Sequence, residues 1–299
     1  MKVAVVGAGG VGGYIAAMLA RAGEDICVVA RGTHKEAIER EGVTVRVGGE
    51  TLPPVLVSVT DDPAKLSEKF DVVLFCVKGY DLESAALSMR EAIGKNTLLL
   101  PLGNGVGNDE VLKRIYPENP VANGAVYIVS RIVKPGFIEV KGRGAFIVMG
   151  MEGASHPALN ELADALGKAG IKTKVSDRIK TDLWRKFLLI SAMATLTTCY
   201  DEPMGAVMAE HPEEFDRILR EILEVGRKEG AKLSEEDIDS VKEQLKKVPY
   251  DSPTSMWLDF KAGRESELEQ LSGYVVKKAA EHSIEVPLMK KCYGELKRR

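Results

Sequence analysis

The sequence of 299 residues has few of the residues from which disulfide frameworks and metal sites are built. Its four cysteines are scattered without a C-x-x-C pair, and no secretory hydrophobic region or cleavage site is apparent near the first residues. Unpaired thiols without an export signal predict a cytoplasmic protein. The four histidines are far apart and lack ligand spacing, so no metal site is predicted.

Long apolar runs and an excess of one charge are also missing. The longest apolar stretch, residues 187–196, is about half of the roughly 20 residues that a membrane helix needs. Lysine and arginine total 41 and aspartate and glutamate 44, which gives a net charge of −3. This balance excludes the electrostatic signature of nucleic-acid or membrane-surface binding. The ordinary globular composition and the length predict two domains.

Apolar runs and amphipathic segments alternate through the first half of the chain. Four apolar runs predict buried strands: residues 2–6, 25–30, 71–77 and 97–102. The apolar spacing between them predicts helices: residues 11–22, 34–40 and 82–93. This alternation predicts an α/β domain of the Rossmann type with a doubly wound parallel sheet. The Val-, Ile- and Gly-rich segment 121–148 is expected to add strands at the edge of that sheet.

From about residue 177 the pattern changes to successive helices. Their expected positions are residues 181–198, 213–229, 235–246, 255–263 and 267–282. We therefore predict a Rossmann domain over residues 1–175 and an all-helical domain over residues 176–299. Apolar helices of the second domain could form a homodimer interface, although packing within one chain explains them equally well.

A glycine-rich turn follows the first predicted strand and opens the first predicted helix. Its residues are Gly7, Ala8, Gly9, Gly10, Val11 and Gly12, which form a G-x-G-x-x-G pattern. Glycines permit a tight turn and a close approach of the backbone to a pyrophosphate, and the helix N-terminus offers unpaired N–H groups to the phosphates. In this context the pattern predicts a dinucleotide-binding loop.

The residue after the second predicted strand distinguishes between nicotinamide cofactors. NAD sites place Asp or Glu there to bind the ribose 2′-hydroxyl, whereas this chain has Arg31. The planar guanidinium suits a 2′-phosphate, so we predict NADPH/NADP⁺ as the cofactor. His34 and Lys35 could contribute to the same site, although solvent exposure is the simpler expectation for both.

Two polar residues, Lys78 and Asn104, follow the next two buried strands at the ends where ligands bind in this fold class. A surface lysine and an Asn-Gly turn are the plain alternatives, but the paired positions favour a shared ligand crevice.

In the helical half, spacing alone assigns no chemistry. Lys186 could extend its ammonium to solvent, Ser255 could cap a helix, and Glu267 could be a solvated charge.

Taken in order, the motifs resemble those of the ketopantoate reductase (2-dehydropantoate 2-reductase) family. The resemblance spans nearly the whole chain and implies NADPH-dependent reduction of ketopantoate to pantoate, on the pathway to pantothenate and coenzyme A. It rests on Gly7-x-Gly9-x-x-Gly12, Arg31, Val77-Lys78, Leu102-x-Asn104-Gly105, Trp184-Arg185-Lys186, Thr254-Ser255-Met256, Asp259, Gly263-Arg264, Glu267, Gly273 and Val286-Pro287.

The resemblance also implies roles for individual residues. Lys186 matches the catalytic lysine that donates a proton to the carbonyl oxygen, and Glu267 matches the glutamate that supports this lysine and the substrate. Ser255 matches a serine that binds the substrate carboxylate, and Asn104 matches an asparagine that positions nicotinamide and substrate. The cations on the cofactor side are matched by Arg31 and Lys78.

Three positions depart from the pattern of characterised members. Ile190 and Ala194 replace asparagines four and eight residues after the lysine, and Met204 replaces a further asparagine. Positions i, i+4 and i+8 share one helix face, so the expected polar wall for the substrate is largely apolar. Ser191 and Thr195 lie one residue out of register. Either other residues compensate, or the substrate is a different, less polar 2-oxo acid.

Three functions follow from the sequence. The leading expectation is reduction of a small 2-oxo acid, nominally ketopantoate, and an alternative is a reductase of another 2-oxo acid or ketone. A third alternative, of a different class, is an NADP(H)-binding sensor without catalysis. The presence of Lys186, Ser255 and Glu267 argues against the sensor, whereas the replaced asparagines leave it open.

Overall fold

The computed structural model describes residues 1–299 and resolves them into two compact units. The first unit comprises Met1–Gly103 and Gly107–Ile179, and the second comprises Asn104–Val106 and Lys180–Arg299. The division between the units falls after Ile179, and the sequence predicts the boundary near residues 175–180. The short turn at Asn104–Val106 belongs to the helical unit although its neighbours in sequence lie in the first unit.

The first unit contains all the strands of the chain and its first five helices. The strands are β1 (Lys2–Val6), β2 (Asp25–Val29), β3 (Thr44–Val47), β4 (Glu50–Thr51), β5 (Ser58–Thr60), β6 (Val72–Phe75), β7 (Leu98–Pro101), β8 (Asn123–Lys134), β9 (Phe137–Gly150) and β10 (Lys172–Val175). The helices are α1 (Gly10–Arg21), α2 (Gly32–Glu41), α3 (Leu82–Ser88), α4 (Asn108–Ile115) and α5 (Pro157–Lys168).

A parallel sheet in the order β5-β2-β1-β6-β7 confirms the predicted Rossmann-type arrangement. Successive residues of β1 point to opposite faces of this sheet. Val3 and Val5 pack in the same cluster as Ile15 of α1, whereas Ala4 packs in a second cluster with Met89. Both faces are therefore covered, which explains why the central strands are continuous apolar runs.

The expectation that segment 121–148 extends this sheet is wrong. β8 and β9 form a long antiparallel pair within a second sheet of order β10-β9-β3-β4, and only Val121 bridges to the edge strand β7. Gly136 has φ +74° in the turn between the two strands, a conformation that favours glycine and lets the chain reverse there. The apolar face of β9 then packs in the cluster that contains α1, with Ile138 and Ile147 fully buried.

The second unit is all helical, as predicted. Its helices are α6 (Ile179–Tyr200), α7 (Met204–Glu210), α8 (Pro212–Lys228), α9 (Glu235–Leu245), α10 (Ser255–Lys261), α11 (Tyr274–Glu281) and α12 (Pro287–Leu296), with α6 starting at the last residue of the first unit. The helix predicted at 267–282 contains a π-helical turn at Glu269–Gly273. None of the helices combines the length and apolarity that a membrane-spanning segment needs.

Candidate active site

The glycine loop between β1 and α1 is closely packed at Gly7 and Gly12 and open at Gly9. Gly7 has φ +97°, and a Cβ on it would lie 2.9 Å from Cγ1 of Val77. A Cβ on Gly12 would lie 2.0 Å from the carbonyl oxygen of Gly7, so this glycine permits the close packing of helix and loop. In contrast, a Cβ on Gly9 would meet nothing within 4 Å. Gly9 is the N-cap of α1, so its open side is where phosphates would approach the helix N-terminus.

A cavity of about 460 Å³ adjoins this loop at the carboxyl ends of β1 and β2. Gly7, Ala8 and Gly9 line one wall, and Arg31 and His34 line another. Four of the sequence-predicted cofactor residues therefore line one cavity, whereas Gly10, Val11, Gly12 and Asn104 are not among its lining residues. Lys78 is not among the lining residues; it precedes the 3₁₀ turn Gly79–Asp81 as that turn's N-cap, while its neighbour Val77 lines the cavity.

Arg31 combines exposure with a position at a helix N-terminus. It is the N-cap residue of α2, and its guanidinium side chain is exposed beside the cavity. The same wall also contains Asp61 and Asp62, of which Asp62 forms an ion pair with Lys65 at 3.0 Å. The wall thus presents a guanidinium together with the N-terminal end of a ten-residue helix, and both favour an anion.

His34 differs from the expectation of a solvated side chain. Its ring is half-buried, Nδ1 accepts a hydrogen bond from the Gly136 N–H at 3.1 Å, and Nε2 lies 2.8 Å from the Ala8 carbonyl oxygen. Because Nδ1 accepts, Nε2 carries the proton and donates it to Ala8. Burial lowers the pKa of His34, which favours this neutral form. His34 therefore connects the glycine loop with the β8–β9 turn, and Lys35 pairs with Glu39 at 2.9 Å instead.

The second unit brings together three of the residues matched to the catalytic machinery. Lys186 on α6 is half-buried, and its Nζ donates a hydrogen bond to Oδ1 of Asn104 at 3.0 Å. Burial lowers the pKa of Lys186 to about 8, and the charge of Glu267 opposes this shift. Glu267 itself is only 2% exposed, a level at which a carboxylate requires a cationic or hydrogen-bonding partner. The cluster thus contains a lysine whose pKa lies near neutral pH.

Ser255 occupies the first position of α10, but it does not cap that helix. Thr254 is the N-cap residue, and its hydroxyl accepts a hydrogen bond from the Trp257 N–H at 3.3 Å. The Ser255 side chain is exposed, so its hydroxyl can serve a ligand. Asp259 binds Arg264 at 2.8 Å, an interaction that joins the end of α10 to the following turn.

A row of buried hydroxyl groups on α6 was not assigned a role from the sequence. Thr195 lies 2.7 Å from the hydroxyl of Ser272, and Ser191 donates to the Leu271 carbonyl at 3.4 Å, so both bind the π-helical turn that follows Glu267. Two residues after Thr195, Thr197 lies 2.7 Å from the hydroxyl of Thr254, next to Ser255. In the sequence, the only indication of these contacts is the presence of hydroxyl residues in an otherwise apolar helix. They connect the helix of Lys186 to the segments of Glu267 and Ser255.

The three positions that depart from the family pattern differ in burial. Ala194 is buried, whereas Ile190 and Met204 are half-buried. None of these side chains offers a strong hydrogen-bonding group. Ile190 and Ala194 lie four and eight positions after Lys186 on α6, and Met204 begins α7.

Comparison with known proteins identifies the relatives of this chain. A family model described as "Ketopantoate reductase PanE/ApbA" matches residues 3–152, and "Ketopantoate reductase PanE/ApbA C terminal" matches residues 178–299. The solved PanE/ApbA family ketopantoate reductase from Ralstonia eutropha JMP134 is 33% identical with a TM-score of 0.90, covering 99% of this chain and 97% of that one. A 2-dehydropantoate 2-reductase of Halobacterium salinarum is 29% identical, covering 97% of this chain and 96% of the relative.

A solved structure with a different named activity also has a similar fold. The ternary structure of D-mandelate dehydrogenase with NADH and anilino(oxo)acetate has a TM-score of 0.88 and 21% identity, covering 98% of this chain and 96% of that one. At this level of identity the likeness concerns the fold alone.

Proposed function

Because the chain belongs to the ketopantoate reductase family, we propose that it reduces a 2-oxo acid with NADPH, nominally 2-dehydropantoate to pantoate in coenzyme A biosynthesis. The chain is an oxidoreductase of this family, and its cofactor is a nicotinamide dinucleotide. The observation that carries the finer proposal is the hydrogen bond from Lys186 to Asn104 in a cluster with the buried carboxylate of Glu267. We place the reaction in the cytoplasm, where the four unpaired cysteines stay reduced.

Residues of the first unit suit the cofactor. The open side of Gly9 leaves room for the pyrophosphate against the N-terminus of α1, and Arg31 is positioned for the 2′-phosphate. When bound, NADPH supplies the hydride that the reduction requires. Lys78, which follows β6, would add a positive charge on the cofactor side.

Lys186 serves as the general acid. Hydride addition to a ketone leaves negative charge on the carbonyl oxygen, and an ammonium next to that oxygen stabilises the charge and then donates its proton. Asn104 Oδ1 accepts one of the N–H groups of Lys186 and thereby orients the remaining ones. Glu267 favours the charged form of Lys186 against the effect of burial. With a pKa of about 8, Lys186 is mostly protonated at neutral pH and releases its proton more readily than a solvated lysine.

Ser255 is assigned to the carboxylate of the substrate. Its exposed hydroxyl at the start of α10 can donate to a carboxylate oxygen, and Thr254 fixes the backbone beside it through the hydrogen bond from the Trp257 N–H. The contact of Thr197 with Thr254 ties this segment to α6, the helix that carries Lys186. The proton donor and the carboxylate-binding group are therefore attached to a common helix.

A second candidate is a reductase of a bulkier or less polar 2-oxo acid. The apolar side chains of Ile190, Ala194 and Met204 favour it, because a hydroxylated substrate would lose hydrogen-bond partners there. The two candidates share the cofactor, the acid and the carboxylate site. They differ only in the part of the substrate beyond the 2-oxo acid group.

The experiment that tests the proposal follows the oxidation of NADPH and NADH with a panel of 2-oxo acids. Turnover of ketopantoate with NADPH supports the first candidate, and turnover of another acid alone supports the second. Cofactor binding without turnover of any acid would favour a sensor and reject the proposed reaction. Equal or tighter binding of NADH would reject the assignment of Arg31 to a 2′-phosphate.

A further inference from the structure

Gln270 carries a buried hydrogen-bond acceptor that has no partner. Its side-chain oxygen Oε1 is shielded from water and receives no hydrogen bond. The residue lies in the π-helical turn Glu269–Gly273, three positions after Glu267 in the sequence. π-helical turns occur frequently at functional sites. The unpaired oxygen is thus near the catalytic carboxylate in the chain.

The backbone of Gln270 also lies beside the Asn104 turn. A Cβ added to Gly105 would lie 3.4 Å from the carbonyl oxygen of Gln270 and 3.9 Å from its Cβ. Gly105 follows Asn104 directly, and Asn104 accepts the hydrogen bond of Lys186. Gln270 is therefore adjacent to the turn that orients the proton donor, on a segment that Ser191 and Thr195 bind to α6.

An acceptor that is removed from water and left unpaired is unfavourable, and native proteins contain few of them. A ligand that supplies a donor would remove this penalty. The Gln270 side chain as a whole is half-buried, and the last torsion of a glutamine is broad. A rotation about that torsion can therefore turn Oε1 toward a ligand without movement of the helix.

The chemistry of a 2-oxo acid restricts what this donor can be. The carboxylate and the ketone of such an acid only accept hydrogen bonds, so the donor must be on the remainder of the substrate. The side chains of Ile190, Ala194 and Met204, which replace the family's asparagines, cannot accept a hydrogen bond from a hydroxyl. We propose that Gln270 is a specificity-determining residue whose Oε1 accepts a hydrogen bond from a hydroxyl group of the substrate. The inference rests on the proposed function and names the polar contact that replaces the missing asparagines.

The test compares two 2-oxo acids that differ by one hydroxyl, ketopantoate and 3,3-dimethyl-2-oxobutanoate, in wild type and Gln270→Met. Methionine keeps the length of the side chain and removes the amide. We expect wild type to prefer the hydroxylated acid, and Gln270→Met to lose about tenfold or more in kcat/KM for ketopantoate only. The variant Gln270→Glu retains an acceptor and should retain the preference. Gln244→Met, at the other glutamine of the chain, is the matched control.

The outcomes separate this inference from the reaction on which it rests. If wild type oxidises NADPH with neither these acids nor any other 2-oxo acid, the proposed function fails and the inference with it. If wild type turns over both acids and Gln270→Met changes both equally or neither, the inference alone is overturned. A higher KM for NADPH with an unchanged substrate preference would also overturn it, because the donor would then be the nicotinamide carboxamide. The melting temperature of ligand-free Gln270→Met should rise, since an unpaired acceptor is removed.

Discussion

The cofactor cavity of the first unit and the lysine cluster of the second unit are built from different parts of the chain. In the cavity, the glycine loop between β1 and α1 and the N-terminus of α2 can offer backbone N–H groups to a phosphate. The lysine cluster is made of side chains from three separate segments, Asn104, Lys186 and Glu267. A backbone site depends on which residues can adopt its turns. A side-chain site depends on which groups are present and how burial changes their pKa.

This difference has consequences for substitution. In the glycine loop, a substitution is most damaging when it adds atoms, because neighbouring atoms lie too close to Gly7 and Gly12 to leave room for a side chain. In the lysine cluster, a substitution is most damaging when it removes a functional group, because no second side chain supplies the same charge or hydrogen bond. Substitutions in the two units should therefore affect different kinetic constants, with binding of cofactor changed in one and turnover in the other.

Removal of the amine of Lys186 should have the largest effect. Lys186→Ala deletes the proton donor, and we expect kcat to fall about 10²- to 10⁴-fold while the Kd for NADPH stays within a factor of about two. Steady-state kinetics and a cofactor titration measure the two quantities. Lys180→Ala, near the start of the same helix, where the ammonium binds the Glu229 carbonyl, is the control and should keep full turnover. Near-normal turnover in Lys186→Ala would reject the assignment of the acid.

Replacement of Arg31 should change the choice of cofactor. Arg31→Ala removes the cation proposed for the 2′-phosphate, and hydrogen bonds to charged groups contribute about 1.5–3 kcal/mol. We expect the Kd for NADPH to rise about ten- to a hundredfold and the Kd for NADH to change little. Arg40→Ala on the same helix, whose guanidinium pairs with Glu41 at 2.6 Å, serves as the control. An equal loss of affinity for NADPH and NADH would show that Arg31 does not bind the 2′-phosphate.

The difference between a site built on a local backbone turn and a site built from distant side chains also explains which features the sequence could predict. The G-x-G-x-x-G loop is local, so its strand–turn–helix context and the position of Arg31 could be recognised from short segments. The β8–β9 pair could not be placed in its own sheet, because alternation of apolar residues shows that a strand is half-buried but not which strand it joins. The apolar runs of the central strands identified a buried parallel sheet because both faces of that sheet are covered.

In the helical unit, the spacing of apolar residues located the helices but not the cluster. Lys186, Asn104 and Glu267 are far apart in sequence. The position after a buried strand indicated Asn104, whereas only the resemblance to a family singled out Lys186 and Glu267 before the structure. The hydroxyls of Thr195 and Thr197 were visible as polar residues in an apolar helix. Their partners Ser272 and Thr254 depend on tertiary packing. The π-helical turn and the unpaired Gln270 oxygen likewise have no periodic signature in the sequence.

A methyl group on Gly9 should affect binding without affecting the fold. A Cβ at this position meets no protein atom within 4 Å, so Gly9→Ala should fold normally. It would, however, occupy the space proposed for the pyrophosphate, and we expect the Kd for NADPH to rise about tenfold through a lost backbone hydrogen bond. Gly167→Ala in α5, also with open space around its Cβ, should leave the Kd unchanged and stabilise the chain by about 0.5–1 kcal/mol. Calorimetry and cofactor titration of both variants test this prediction, and unaltered NADPH affinity in Gly9→Ala would contradict it.

Neutralisation of Glu267 should give the smallest effect, a shift in pH dependence rather than a loss of activity at low pH. Lys186 must be an ammonium to act as the acid, so kcat should be high below its pKa of about 8 and fall as the pH rises through that value. Glu267 raises this pKa, so in Glu267→Gln burial acts unopposed and the fall in kcat should begin at lower pH. Glu269→Gln, where the exposed carboxylate binds Tyr293, should keep the wild-type profile. If the pH profile of Glu267→Gln coincided with that of wild type, Glu267 would not set the charge of Lys186. The Lys186 ammonium would then be supported by its hydrogen bond to Asn104 and not by the carboxylate.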